Sequence, residues 1–105
     1  MSVLDNETKR RLRGVILKLV YENHEKQRHR LDDLTLHGVL ERLHYDLSRN
    51  EVRTLVQDLG ERDCLKCIEE RDKDSGKVSL RQIQILPRGR DLIEKSETDA
   101  GVEVE

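Results

Sequence analysis

The stretch Leu47–Glu61, LSRNEVRTLVQDLGE, decides how the rest of the chain is read. Val52, Leu55, Val56 and Leu59 recur at the i, i+3, i+4, i+7 spacing of one buried helix face. Ser48 and Glu51 stand three apart, the spacing of a capping box, so the helix start is written into the sequence. Advancing about 100° per residue, the side chains farthest from the buried stripe are Asn50, Arg53, Thr54, Gln57 and Glu61. Asn and Gln can pair the exposed edge of adenine, Arg that of guanine, and a Thr methyl can touch thymine. Arg49 stands at the helix start, where exposed N–H groups also favour phosphate. A solvated polar face is the plainer reading, and Asp58 and Glu61 make the second half of the helix acidic.

Working outward, a helix is expected from about Asp33 to His44, with Leu36, Val39, Leu40 and Leu43 on one face and Asp32 or Asp33 as its cap. Gly38 inside it costs about 1 kcal/mol relative to Ala, which suggests a close packing neighbour. The short turn YDLS then joins two helices into a helix-turn-helix candidate. Upstream, residues 5–23 read as a first helix buried through Leu12, Val15, Ile16, Leu19 and Val20. Gly14, Leu17 and Tyr21 form a second, narrower strip on its other side. NHEKQRHR reads as a loop, with a short strand near His29–Leu31.

Past Gly60 the pattern becomes extended. CLKCIEERD (64–72) and KVSLRQIQIL (77–86) form a hairpin whose turn, DKDSGK, has Gly76 at its tip. Val78 and Leu80 lie in one phase and Ile83 and Ile85 in the other, so a bulge near Arg81–Gln82 is required. PRGRDLIEKS restarts a short helix with Leu92 and Ile93 inward. The division expected is one domain over 1–95 and an acidic, disordered tail over 96–105.

Composition bounds the function. Of 105 residues, 40% are charged and 34% hydrophobic, and Tyr21 and Tyr45 are the only aromatic residues, so the core must be aliphatic. The net charge is −2, but residues from Glu94 onward hold five acids against Lys95, which leaves 1–93 at +2. Basic clusters stand at KRRLR (9–13) and KQRHR (26–30). Nucleic acid is thus permitted as a partner without being required. No apolar run approaches the roughly 20 residues of a membrane span. No apolar leader opens the chain, so a cytoplasmic protein is expected.

The order helix, helix, turn, helix, hairpin, helix resembles the winged helix-turn-helix domain. LSRNEVRTLVQDLGERDCL is similar to a recognition helix running into a first wing strand. ILPRGRDLIE is similar to the segment that follows the wing in MarR-like and PadR-like regulators, with Pro87 where Thr is usual. The chain also resembles small winged-helix proteins of Mu-like prophages. The fold so implied is α+β, mainly α: three helices, a β-hairpin wing and a short C-terminal helix. The function implied is DNA binding as a dimeric transcriptional regulator of bacterial or prophage origin. Its partner would be double-stranded DNA, held by Arg49, Asn50, Arg53, Thr54 and Gln57 together with wing contacts from Lys73 and Lys77. The alternative is a winged helix used as a protein-interaction module, with the acidic tail as a contact or autoinhibitory arm. Gly14, Leu17 and Tyr21 offer a dimer interface, unless the C-terminal helix covers them with Leu92 and Ile93.

Cys64 and Cys67 form a CxxC, but no second pair follows to complete a zinc site, so buried or half-buried thiols in a reducing compartment are expected. His37 and His44 lie two helical turns apart, too far to grip one ion unaided. No nucleophile with a base and no phosphate-cradling glycine loop is apparent, so neither catalysis nor a cofactor is expected.

Overall fold

The computed structural model describes residues 4–26 and 31–105 of the chain. It is α+β and mainly helical: α1 (Asn6–Glu25), α2 (Asp33–Arg42), α3 (Arg49–Glu61), the strands β1 (Leu65–Arg71) and β2 (Val78–Ile85), and α4 (Pro87–Ile93). Each long helix starts where a side chain meets its free amides. Asp5 accepts from Thr8 N at 2.7 Å, Asp32 from Thr35 N at 2.7 Å, and Ser48 from Glu51 N at 3.1 Å. Glu51 returns the last contact, its carboxylate accepting from Ser48 N at 2.9 Å, so the expected capping box is present. The expected strand near His29–Leu31 falls mostly outside the described residues, though Leu31 is buried and its carbonyl accepts from Ile83 N at 2.8 Å.

The core is aliphatic throughout. The predicted stripe of α3, Val52, Leu55, Val56 and Leu59, is fully buried against α1, α2 and β1. The hairpin resolves its phase problem as expected: Lys66 pairs with Gln84 and Ile68 with Arg81, which leaves one extra residue on β2. Gln82 takes that position with φ of +52°, so Leu80 precedes the bulge and Ile83 and Ile85 follow it on one buried side.

Several expectations are corrected. Gly38 has no close neighbour; a Cβ there would meet nothing within 4 Å. Leu43 is not inward but 50% exposed, because α2 stops at Arg42 and the chain turns away through the left-handed His44 at φ +68°. Residues 96–105 are not a loose tail. Val102 joins the core, and Glu103 N donates to Arg10 O at 3.1 Å, so the segment straps across α1.

That strap and α4 also cover the strip assigned to a dimer. Leu17 is fully buried, and Gly14 lies against the Glu103 carbonyl, which a Cβ would overlap. Tyr21 donates its hydroxyl to Glu94 at 3.1 Å, and Gly89 of α4 leaves Leu17 in contact range. Gly14, Leu17 and Tyr21 therefore have intrachain partners, as the competing reading held, with Leu92 buried beside them and Ile93 half-buried. The buried arc of α1 is rotated toward Leu17, and Val15 and Leu19, expected within the buried stripe, lie at its half-buried edge.

Asp99 anchors the strap. Its side chain is 8% exposed and takes Arg88 at 2.8 Å, Arg62 at 2.9 Å and the Gly101 amide at 2.7 Å. Burial alone would raise its pKa, but the Gly101 amide, Arg88 and Arg62 outweigh it and hold the carboxyl below its usual value. Among the described residues, no helix is long and apolar enough to cross a membrane.

Two substitutions test these glycines in opposite directions. Gly38→Ala should raise the unfolding free energy by about 0.5–1 kcal/mol, since it removes a helix penalty without a clash. Gly14→Ala should lower it by about 1–3 kcal/mol by lifting the strap, an overpacking cost. Chemical denaturation of both variants measures the contrast.

The Asp99 contacts also predict an acid limb. A carboxyl depressed in the folded state stabilises fully above its unfolded pKa of about 4 and loses that contribution as pH falls through the lower folded value. Asp99→Asn should be less stable than the parent at neutral pH, with the gap closing below about pH 4. Thermal melts across that range would show it, and a constant gap would contradict the assignment.

Candidate nucleic-acid interface

The capping box fixes where α3 starts, and its buried stripe fixes which way it faces. Asn50, Thr54 and Gln57 are consequently exposed, with Arg53 half-buried beside them. The far end of the hairpin runs alongside this face. Asn50, Arg53, Thr54 and Gln57 of α3 line one side of an open groove of about 420 Å³, and Glu69, Gly76, Lys77 and Val78 line the other.

Arg53 is the tie between the two sides. One guanidinium nitrogen donates to the Val78 carbonyl of β2 and another to the Asn50 side-chain oxygen. The arginine that the sequence marks as a reader is therefore also a brace. Asn50 keeps its amide NH₂ as a donor, while Thr54 donates its hydroxyl to the Asn50 carbonyl at 2.9 Å and leaves its methyl outward.

Arg49 stands at the start of the face, 46% exposed, with its guanidinium 3.9 Å from Asp33. Asp33 is 2% exposed, and among the described residues its Oδ2 has no hydrogen-bond partner. A buried carboxylate of this kind is costly without a counter-charge, so Arg49 has a structural task as well as an outward one. Phosphate at the helix start has less to bind than the sequence suggests, because the capping box already engages the Ser48 and Glu51 amides.

Five of the seven expected contact residues thus converge on one surface, Asn50, Arg53, Thr54, Gln57 and Lys77. Arg49 flanks it on α3, and Lys73 lies in the exposed turn outside the groove lining. That turn is held by Asp72, which accepts from Asp74 N at 2.9 Å and has its pKa lowered chiefly by this bond. Gly76 closes the turn at φ +71°, a conformation that favours glycine.

Sequence reasoning missed two features. Glu69 of β1 brings a carboxylate into the groove, which only the hairpin register reveals. Asp58 is paired with Arg13 of α1 at 3.1 Å, so half of the acidity noted on α3 is neutralised within the chain. No short-range pattern links positions 45 residues apart.

The cysteines are thiols of the kind expected. Cys64 is buried and Cys67 half-buried, and burial pushes both pKa values up. His37 contacts the Leu47 carbonyl at 2.7 Å, inside the turn between α2 and α3. Among the described residues, no group of three or more His, Cys, Asp or Glu side chains could hold a metal ion.

Comparison with protein-family models, with curated proteins and with solved structures finds no match to this chain.

The two arginines should separate in a stability measurement. Arg53→Ala removes the tie to Val78 and should cost about 1–2 kcal/mol, a range set by charge-assisted hydrogen bonds at a half-buried site. Arg49→Ala strands Asp33 and should cost about 1 kcal/mol or more, discounted for the exposure of the pair. Asp33→Asn introduced into Arg49→Ala should recover part of that loss. Additive losses in urea denaturation would show that the two residues do not interact.

Proposed function

We propose that this chain is a winged helix-turn-helix domain that binds double-stranded DNA. In this reading α3 enters the major groove and the β1–β2 hairpin is the wing that follows the backbone. A transcriptional regulator of the kind found in bacteria and their prophages is the role that fits. The observation that carries the reading is the single surface formed by Asn50, Arg53, Thr54 and Gln57 with Lys77 across the groove. These residue types combine base-edge donors and acceptors with a backbone cation, and the Arg53 tie holds both parts in one geometry before any ligand arrives.

A second reading has its own support. Glu69 in the groove and exposed Glu61 oppose phosphate, and a groove of mixed sign suits a peptide segment. In that case the same fold would act as a protein-interaction module.

Selection of bound sequences from random double-stranded DNA with the purified chain separates the two. A DNA reader should enrich one sequence. Asn50→Ala and Gln57→Ala should then each lose about 1–3 kcal/mol on that sequence and little on unrelated DNA. Lys77→Ala should weaken all sequences alike, because a phosphate contact carries no sequence information. Absence of enrichment, with equal binding by all variants, would remove DNA from the proposal and leave the interaction module.

A further inference from the structure

We propose that the face of α1 formed by Val15, Lys18, Leu19 and Glu22, together with Leu43 and Tyr45, is the contact between two copies of this chain. The argument begins with the rotation of α1. Its apolar pattern is wider than the arc the core uses, so Val15 and Leu19 remain at the edge, packed against the core but not fully covered. Leu43, thrown outward by the turn at His44, comes beside them, and with Tyr45 they line a groove of about 330 Å³. A lone exposed leucine needs no explanation, whereas apolar side chains drawn from α1 and from the turn that follows α2 into one hollow mark a contact surface.

The rim says what fits there. Arg11 and Lys18 stand on it with Glu22, Glu103 and Glu105. Arg11 is already paired with Glu7 at 3.0 Å and Glu103 at 3.3 Å. Lys18 and Glu22, both exposed, make no ion pair among the described residues. A nucleic acid or a strongly acidic or basic partner would be repelled by half of this rim. A second copy supplies both signs in the same pattern, and a twofold axis across α1 makes the helices antiparallel, so that Lys18 of each can face Glu22 of the other. This face adjoins the strip that the strap and α4 occupy, and the strap contributes Glu103 and Glu105 to its rim.

Sedimentation of the full chain over micromolar to high-micromolar concentration tests the proposal, with circular dichroism as the check on folding. The parent should dimerise reversibly. Leu43→Glu, at a site exposed enough to tolerate it, should weaken the dimer at least about tenfold without altering the fold. Lys18→Glu and Glu22→Lys should each weaken it several-fold, and the two together should return it to within about twofold of the parent, as a paired exchange of charge requires. A parent that stays monomeric overturns the proposal, as does a dimer indifferent to Leu43→Glu. Single charge reversals without effect, or a double variant that fails to recover, overturn the twofold pairing.

Discussion

Burial of the α3 stripe is the constraint on which the remainder depends. Val52, Leu55, Val56 and Leu59 are each within 2% of full burial. At about 1.5–3 kcal/mol per side chain they contribute roughly 6–12 kcal/mol, as much as the whole net stability of a typical domain. With no Phe or Trp, and with Tyr21 and Tyr45 outside the fully buried core, the chain has no buried ring to put in their place. With that stripe inward, the rotation of α3 is fixed, and so is the set of side chains it shows to solvent. The hairpin meets that flank of α3 where Arg53 donates to the Val78 carbonyl.

What the sequence made legible were features whose cause is local. The capping box at Ser48, the α3 stripe and the phase change in β2 all follow from residues within a few positions of one another, and all are present. The outward residues of α3 were equally legible, because they are the complement of a strong apolar pattern. What stayed hidden depends on distant partners. The strap looked unable to bury anything, since Val102 and Val104 are its only apolar side chains beyond Ala100; its attachment comes from Asp99 reaching Arg62 and Arg88. Gly14 was expected to face a second copy, but what lies against it is the backbone of Glu103.

In the proposed DNA-binding role, Arg53 would serve both stability and recognition. Its guanidinium is engaged with Val78 and Asn50, which removes side-chain freedom that a ligand would otherwise have to freeze. The same engagement limits what it can offer outward, since a fork with two donors committed cannot also make every bidentate contact to guanine. Asn50, Gln57 and the Thr54 methyl are left with a larger share of any sequence preference, and this shifts the expected preference toward adenine and thymine.

Charge on this molecule is better judged by location than by its sum. The net value of −2 argues weakly against a polyanionic ligand. Yet three of the acids responsible are engaged by arginines of the folded body: Glu97 with Arg88, Asp99 with Arg62 and Arg88, and Glu103 with Arg11. Asp58 is likewise held by Arg13. These pairs cancel locally and contribute little field beyond a Debye length, about 10 Å at moderate salt. The groove then presents Arg53 and Lys77 against Glu69, with Arg49 at its margin, a surface close to neutral or slightly positive. A DNA ligand there would gain few phosphate contacts, so its affinity should fall only gently with salt and must come mainly from base contacts and shape. In the proposed dimer two such surfaces on one particle would add their separate binding energies, which a weakly charged reader would need more than a strongly basic one.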